Sequence, residues 1–347
     1  MTASENQKLS TARDSFNRPM HDLRISVIDR CNFRCTYCMP EENYPRHYTF
    51  LRKRDWLSFD EIARLTRLFV QSGVTKVRIT GGEPLLRPRV EDLVSQLTTV
   101  SGIEDLALTT NRSKLAEKAG QFKKIGLSRL TVSLDTLDER IFREMNGYRS
   151  RVQAVLAGIR AAEEAGFQKI KINAVIQKGV NDQTVMPLVE HFRGTGHIVR
   201  FIEYMDVGNC NHWESRKVVP NLEILKRIHS HYPLEPVERS YFGEVAERYR
   251  FVDGHGEIGF ISSVSQPFCG TCTRLRLSTD GKVYTCLFAA AGTDVRAPLR
   301  SGADDAALLQ IIKNLWQKRA DKYSENRTLF QSLKRKPSKV EMYQIGG

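Results

Sequence analysis

The sequence lacks any long hydrophobic run. No stretch approaches the ~20 consecutive apolar residues that a membrane-spanning helix needs. Residues 1–16 include acids and have no apolar centre, so they do not match a secretory signal or a transit peptide. We therefore expect a cytoplasmic protein with no membrane partner, whose residues 1–17 form a flexible N-terminal tail.

Cysteine is also scarce, with seven residues in a chain of 347. Six of the seven fall into two tight groups, and Cys210 stands apart from both. A secreted protein held together by disulfides would distribute its cysteines more evenly. The grouping instead favours reduced thiols that bind a metal.

Acidic residues are outnumbered by basic ones, 40 against 53, which gives a net charge of +13. A basic excess of this size predicts an anionic partner: a nucleic acid, a nucleotide or a membrane surface. A generally basic, solvated surface would give the same total, so the charge alone does not identify the partner.

Short apolar segments alternate with helical patterns through the first 205 residues. Six strands are predicted, at 23–28, 76–80, 104–109, 129–134, 169–176 and 197–204. Strands that alternate with helices at this spacing predict a parallel sheet with right-handed crossovers. No Rossmann glycine fingerprint follows the first strand, so we predict an α/β fold with a partial (βα)6 TIM-like barrel over 18–205. A C-terminal α+β region over 206–347 would close the barrel.

Polar clusters follow the predicted strands at their carboxyl ends. They include 81–83 (Gly-Gly-Glu), 109–111 (Thr-Thr-Asn), 133–135 (Ser-Leu-Asp), 171–173 (Lys-Ile-Asn) and 203–205 (Glu-Tyr-Met). In parallel barrels the chemistry takes place at this end of the strands. Some of these residues are expected to serve only as helix caps and turns. Together the clusters predict one shared opening.

The first cysteine group consists of Cys31, Cys35 and Cys38, directly after the first predicted strand. A structural zinc ion normally takes four protein ligands. Three thiolates fit an iron–sulfur cluster better, with one iron left free to chelate a small molecule. A zinc-binding or merely buried cysteine group is the alternative.

The second cysteine group also has three members, Cys269, Cys272 and Cys286. Between them lie Arg274 and Arg276, which alternate on a predicted strand and therefore share one face. Two guanidiniums beside a metal loop form an anion site, because each offers a planar fork of donors to phosphate oxygens. A zinc knuckle, with His255 or Cys210 as fourth ligand, is the alternative.

The C-x3-C-x2-C spacing, with Tyr37 before the third cysteine, resembles the cluster loop of radical S-adenosylmethionine enzymes. Further motifs resemble the GTP 3′,8-cyclase family, which opens molybdenum cofactor biosynthesis, over about residues 18–347. These motifs are 22–24, 31–40, 78–85, 200–205, 258–276 with Cys286, and the terminal 342–347. Two positions depart from the family pattern: Arg112 stands where glycine is usual, and Thr273 where asparagine is usual.

The resemblance implies a role for each matching position. Two [4Fe–4S] clusters would be held, one by Cys31, Cys35 and Cys38, the other by Cys269, Cys272 and Cys286. S-adenosylmethionine would lie against Tyr37, Gly82, Ser133 and Met205. GTP would contact Arg24, Arg78, Thr109, Lys171, Arg274 and Arg276, with its guanine on the open iron of the second cluster. The catalytic residues would be Arg24, Arg274 and Arg276, together with Gly346 and Gly347 of a tail that reaches into the cavity.

The resemblance also implies a reaction and its partners. A 5′-deoxyadenosyl radical would abstract the ribose C3′ hydrogen of GTP, and the C3′ radical would attack guanine C8. An electron donor such as flavodoxin or ferredoxin is implied, with no nucleic-acid partner, for a monomer or homodimer. Two alternatives remain: a radical enzyme with an auxiliary cluster that modifies a peptide, and a metal-stabilised nucleic-acid binder.

Overall fold

The computed structural model describes residues 11–111, 114–332 and 338–347. Its strands are β1 Asp22–Ser26, β2 Lys76–Thr80, β3 Asp105–Thr110, β4 Arg129–Ser133, β5 Lys171–Ile176, β6 Ile198–Glu203, β7 Leu234–Val237, β8 Glu247–Phe251, β9 Glu257–Ile261, β10 Arg274–Leu277, β11 Lys282–Tyr284 and β12 Thr293–Asp294. Its helices are α1 Phe59–Gln71, α2 Val90–Thr98, α3 Leu115–Lys124, α4 Glu139–Met145, α5 Val152–Glu164, α6 Val185–Phe192, α7 Asn221–His231, α8 Arg296–Arg300, α9 Asp305–Gln317, α10 Arg327–Ser332 and α11 Met342–Ile345.

The strands form one sheet in the order β12-β11-β10-β1-β2-β3-β4-β5-β6-β9-β8-β7. The strands β1 to β6 pair in sequence order and in parallel. The C-terminal strands β10 and β9 extend this run, pairing in parallel with β1 and β6 respectively. Antiparallel pairs form both ends of the sheet. The predicted α/β fold with a mostly parallel sheet is therefore confirmed, and the C-terminal region contributes to the same sheet.

Alternation along the strands separates the apolar core from the polar interior of the site. In β2, Val77 and Ile79 are fully buried in the main hydrophobic core. Arg78, between them, points to the opposite face, because successive strand residues project to opposite sides. The same pattern in β1 buries Leu23 and Ile25 while Arg24 lines a cavity. One face of the sheet thus packs against helices and the other carries charge.

Helix α1 shows how local sequence sets an element's limits. Ser58 and Glu61 form the predicted capping box, each side chain bonded to the other's backbone N–H. Such a cap stabilises a helix by about 1 kcal/mol. The chain leaves the helix at Gly73, whose φ of 114° suits glycine. No helix in the described part of the chain is long and apolar enough to cross a membrane.

Residues 11–17 are packed, which corrects the expected N-terminal tail. Ala12 and Asp14 are buried, and the Asp14 carboxylate accepts hydrogen bonds from Arg18 Nε at 2.6 Å and Arg319 Nη1 at 3.3 Å. A buried carboxylate needs such partners, and here they fix the segment against the C-terminal region. Residues 1–10 of the expected tail lie outside the described residues.

Candidate active site

A cavity of about 340 Å³ is lined by residues from β1 to β6, β9 and β10. This volume lies within the usual range of small-molecule sites. Both cysteine groups line the cavity, although more than 230 positions separate them in sequence. Every site residue predicted from the sequence lines it except Gly346. The arrangement brings thiols and cations from distant segments into one chamber.

Backbone hydrogen bonds hold the first cysteine loop, and the neighbouring backbone at Gly82 leaves no room for a side chain there. The N–H groups of Cys38 and Met39 both donate to the Cys35 carbonyl, which closes a turn. The N–H of Gly82 donates to the Ile28 carbonyl at 2.7 Å. A Cβ at Gly82 would lie 2.2 Å from the Arg30 carbonyl oxygen, so only glycine permits this approach.

The thiols of this loop are buried and favour the protonated form while they have no metal. Burial raises the pKa of Cys31 to about 12, and the nearby Glu83 carboxylate adds to the effect. Burial also raises the pKa values of Cys35 and Cys38, with further contributions from the neighbouring thiols. A bound metal must displace these protons, so loading this site releases acid.

The second cysteine loop is supported by arginines. Arg18 Nη1 donates to the Cys269 carbonyl at 2.6 Å, and Arg319 Nη1 to the Cys272 carbonyl at 2.7 Å. Arg274 Nη2 lies 3.3 Å from Cys272 Sγ. Burial by itself would raise the pKa of Cys272, but Arg274 and Arg319 outweigh it and lower that pKa to about 6. The two guanidiniums thus favour the thiolate form of Cys272, which is the form that binds metal.

Each trio brings three thiols to the wall of the cavity. Among residues 11–111, 114–332 and 338–347, no three His, Cys, Asp or Glu side chains are arranged to hold a single metal ion. In an iron–sulfur cluster each thiolate binds a different iron, so the sulfur atoms need not converge on a point. Burial raises the pKa of Cys35, with additions from Asp135, Cys31 and Cys38, and burial raises the pKa of Cys286, with additions from Asp321, Cys272 and Cys269. Thiolates are the usual ligands of iron–sulfur clusters, so the donor type in each trio suits such a group.

A row of three guanidiniums crosses adjacent strands. Strand register pairs Arg24 with Arg276 on one side and with Arg78 on the other. Neighbouring strands lie about 4.8 Å apart, so the three side chains begin at nearly the same level. Burial lowers the pKa of Arg24, and the charges of Arg276, Arg274 and Arg78 lower it further. Such crowding of like charge is relieved by a polyanion.

A second row, from β3 to β5, provides hydroxyls and a lysine. The register aligns Thr109 with Thr131, and Thr131 with Lys171. Arg78 Nη1 donates to both threonine hydroxyls, at 3.0 and 2.9 Å. Burial lowers the pKa of Lys171 to about 6, and the nearby cations, Arg200 first among them, add to the shift. Lys171 therefore loses its proton readily unless an anion binds beside it.

The C-terminal tail reaches the guanidinium row. Arg276 Nη1 donates to the Gly346 carbonyl, and Gly347 lines the cavity. A Cβ at Gly346 would lie 2.1 Å from Thr80 Cγ2, and the φ of 72° is itself unfavourable for other residues. Glu341 begins α11 with a capping box to Gln344. Gly347 thus lies at the cavity wall, and Gly346 lies behind it, bonded to Arg276.

The residues expected to contact S-adenosylmethionine lie in the same cavity as the first trio. Tyr37, Gly82, Ser133 and Met205 all line the cavity. The Tyr37 hydroxyl donates to Asp135 Oδ2 at 2.9 Å. Burial raises the pKa of Asp135 to about 6, although hydrogen bonds from the Val175 N–H and Tyr37 oppose the shift. These contacts fix the ring of Tyr37, which lies within the first cysteine loop.

Three further residues that line the cavity, Lys76, Arg200 and Tyr241, were not assigned to the site from the sequence. Lys76 Nζ donates to the Tyr241 hydroxyl at 2.8 Å, and Arg200 Nε donates to Asn173 Oδ1 at 2.9 Å. Lys76 could have been found, since it alternates with Arg78 on β2. Arg200 follows the same logic, because register places it beside Asn173. Tyr241 lies in an irregular segment and gave no signal.

Thr273 is one of the two positions that depart from the family pattern. Thr273 is fully buried, and its hydroxyl donates to Asp22 Oδ2 at 2.6 Å. It therefore ties the second cysteine loop to the start of β1. Arg112 lies outside the described residues.

Comparisons with known proteins match the chain in two parts. The Radical SAM superfamily matches residues 25–192, and the Molybdenum Cofactor Synthesis C family matches residues 197–325. A curated protein from Xanthomonas axonopodis pv. citri, named GTP 3′,8-cyclase, is 52% identical over 335 residues, covering 96% of this chain and 98% of its own. A protein of the same name from Staphylococcus epidermidis is 47% identical, covering 96% of this chain and 98% of its own.

Solved structures resemble the fold. The crystal structure of Streptococcus suis SuiB bound to S-adenosylmethionine matches with a TM-score of 0.60 at 16% identity. The match covers 91% of this chain and 69% of that one. At this level of identity the likeness concerns the architecture alone.

Proposed function

This chain belongs to the GTP 3′,8-cyclase family of radical S-adenosylmethionine enzymes, and from that premise we propose how its residues perform the reaction. The enzyme converts GTP to (8S)-3′,8-cyclo-7,8-dihydroguanosine 5′-triphosphate, the first step of molybdenum cofactor biosynthesis. It uses S-adenosylmethionine and an iron–sulfur cluster. A second cluster, the nucleotide contacts and the closure of the sheet as a partial (βα)6 barrel are parts of the proposal.

One observation carries the proposal: the row formed by Arg276, Arg24 and Arg78 lies in the same cavity as both thiol trios. GTP brings about four negative charges, and charge-assisted bonds to guanidinium are among the strongest hydrogen bonds in proteins. The row is fixed by strand register and not by flexible loops. The triphosphate therefore meets a preformed cationic surface and needs little rearrangement on binding.

The two cysteine trios have different roles in this proposal. Cys31, Cys35 and Cys38 would hold the cluster beside the S-adenosylmethionine site, and Cys269, Cys272 and Cys286 a second [4Fe–4S] cluster toward the guanine. When bound, the first cluster supplies the electron for reductive cleavage of S-adenosylmethionine to the 5′-deoxyadenosyl radical that removes the ribose C3′ hydrogen. The chain's own part is orientation, since such a radical takes whichever hydrogen it can reach.

The tail and the arginines complete the enclosure. Arg276 donates to the Gly346 carbonyl, so the residue proposed to contact GTP also holds the chain terminus. Gly347 adds backbone without a side chain to the cavity wall. A closed wall excludes water and protects a radical from side reactions. In this proposal Arg274 both stabilises the Cys272 thiolate and offers donors to the nucleotide.

The proposal is tested with anaerobically reconstituted enzyme, S-adenosylmethionine and dithionite. We expect 5′-deoxyadenosine to form in a GTP-dependent manner, and deuterium at the ribose C3′ of GTP to appear in it. Deoxyadenosine at the uncoupled background level, with or without GTP, would refute the proposal.

The cluster count is tested separately by iron and sulfide analysis. Two cubanes contain about eight iron atoms, so Cys35→Ala and Cys286→Ala should each remove about half of the iron. Cys210→Ala is the matched control, because this thiol bonds to Tyr44 and Glu341 and should leave the iron content unchanged. Full iron content in Cys286→Ala would refute the second cluster.

A further inference from the structure

A basic surface lies outside the first cysteine loop and has no role in the reaction described above. We call it the outer basic surface; its exposed cations are Arg30, Arg46, Arg52, Lys53 and Arg54. No acidic residue occurs from 43 to 54. None of the five cations forms an ion pair with a described residue. Exposed charge of one sign, concentrated mainly on residues 46–54, attracts an oppositely charged partner.

A layer of aromatic rings connects this surface to the interior. Tyr48 is 36% exposed, and its ring centroid lies 4.9 Å from that of Tyr44 and 4.8 Å from that of Phe50. Tyr44 is buried, and its ring lies 5.2 Å from the ring of Tyr343. The guanidinium of Arg30 lies 5.9 Å from the Phe50 ring. Arg30 therefore adjoins the aromatic layer, and the other four cations lie within 46–54, the segment that also carries Tyr48 and Phe50.

The inner side of this layer touches the first thiol trio. Cys31 and Cys38 pack against the small buried cluster that contains Met39, Tyr44 and Tyr343. Arg30 immediately precedes Cys31 in the chain. The exposed ring of Tyr48 is thus connected to the thiols through the buried cluster of Met39, Tyr44 and Tyr343. Because electron transfer slows steeply with distance, a short crossing is what a donor protein needs.

We propose that the outer basic surface is the docking site of an acidic, one-electron donor protein carrying a flavin or an iron–sulfur centre. The proposal rests on the proposed function, since it assumes that the first trio holds a cluster. One electron leaves the reduced donor, which is oxidised by one electron, and the cluster on Cys31, Cys35 and Cys38 is reduced by one. No bond forms or breaks in this step.

The geometry favours a protein over a nucleic acid as the partner. A cavity of about 340 Å³ admits small molecules but not a protein, so a protein donor must deliver its electron through the wall. Tyr48 is the exposed ring of the aromatic layer, whereas binders of single-stranded nucleic acid offer several stacking rings along a groove. Exposed charges also raise association rates for acidic partners in a salt-dependent way.

The primary test measures binding, by titration calorimetry of the reconstituted holoenzyme with an acidic, oxidised flavodoxin. The variant Arg46→Glu/Arg52→Glu/Arg54→Glu should raise Kd about tenfold or more at low salt and weaken its salt dependence. The matched control is Lys124→Glu/Arg160→Glu/Lys169→Glu, which makes the same charge change at exposed residues of the helical exterior. Its Kd should stay within about twofold of the parent value. Equal losses in both variants would overturn the proposal.

A second readout separates docking from catalysis. With dithionite as reductant, the Arg46, Arg52 and Arg54 variant should form 5′-deoxyadenosine at the parent rate. With reduced flavodoxin, its rate should fall about tenfold. Loss of both rates would show that these residues support the fold or the chemistry, and would overturn docking. If the parent enzyme shows no GTP-dependent rate with dithionite, the proposed function fails, whereas the binding result still decides the docking site.

A third arm uses a single-stranded RNA oligonucleotide as the probe. If the triple variant loses RNA binding while its affinity for flavodoxin is unchanged, the surface is a nucleic-acid site and the proposal is wrong. Weak RNA binding that is equal in the triple variant and its matched control supports the donor site.

Discussion

Binding of GTP should be coupled to the uptake of a proton by Lys171. Burial lowers the pKa of this lysine to about 6 in the ligand-free protein. The charged groups that contribute most to this shift are cations, namely Arg200, Arg129, Arg78 and Lys76. Asp105, an acid beside these cations, is already paired with Lys76 and Arg129. A bound triphosphate would therefore bring negative charge to a lysine whose strongest electrostatic neighbours are cations.

The size of the coupling follows from the shift. With a pKa of about 6, roughly 1% of Lys171 is charged at pH 8. Full restoration to about 10.4 would correspond to ~6 kcal/mol at 1.36 kcal/mol per pKa unit, which is an upper limit. A recovery to about 9 is enough for uptake of ~0.9 proton per GTP at pH 8. Arginines contribute little, because they stay protonated at this pH.

The affinity for GTP should fall as pH rises, because of Lys171. GTP binding raises the pKa of Lys171, so affinity gained from this residue is fully present below pH 6 and is lost as pH rises through the pKa of the complex. Between these limits Kd should rise by up to tenfold per pH unit. Measurements above pH 7.5 avoid the titration of the terminal phosphate itself, which occurs near pH 6.

Calorimetry at pH 8 in buffers of different ionisation enthalpy gives the number of protons directly. In Lys171→Arg the charge is permanent, so uptake should fall almost to zero while binding is retained. In Lys171→Met both uptake and affinity should fall. Absence of uptake in the parent enzyme, or unchanged uptake in Lys171→Arg, would refute the reasoning.

Three further predictions concern the tail, its arginine anchor and the fold. Gly346→Ala should reduce product formation at least tenfold with normal iron content, because its Cβ would meet Thr80; parent-level product would contradict the tail's role. Arg276→Ala should weaken GTP binding more than Arg276→Lys, measured by calorimetry, since only the lysine keeps a charge near Gly346; equal affinities would argue against that contact. Glu203→Gln should lower the melting temperature by several degrees, because its buried carboxylate accepts three backbone N–H bonds worth about 1–3 kcal/mol when disrupted; an unchanged value would show that the amide replaces them.

Local sequence patterns were sufficient for the parallel core and for both cysteine groups. The strands β1 to β6 were predictable because apolar residues alternate with polar ones and glycines mark the turns. The rows of charge were not predictable in the same way. The alignment of Arg276 with Arg24 depends on β10 adding in parallel beside β1, across about 250 positions, and no local pattern encodes that register.

The packing of the N-terminal segment could not be predicted, for a related reason. Residues 11–17 are polar and short, which is the composition of a free tail. Their packing depends on Asp14, whose partners are the nearby Arg18 and the distant Arg319. The same Arg319 donates to the Cys272 carbonyl, so this segment supports the second cysteine loop through a shared guanidinium. Such a role becomes visible only when both ends of the chain are placed together.

The charge in the cavity places folding and substrate binding in opposition. Arg24, Arg78 and Arg276 repel one another in the ligand-free protein, and burial lowers the pKa of each. They cannot separate, because strand register sets their spacing and the strands belong to a sheet with a large apolar core. The apolar core offsets the loss of folding stability that the repulsion among the guanidiniums causes. A bound polyanion then removes that repulsion. A rigid parallel sheet is well suited to this site. On a flexible loop the guanidiniums would move apart and could no longer bind one polyanion together.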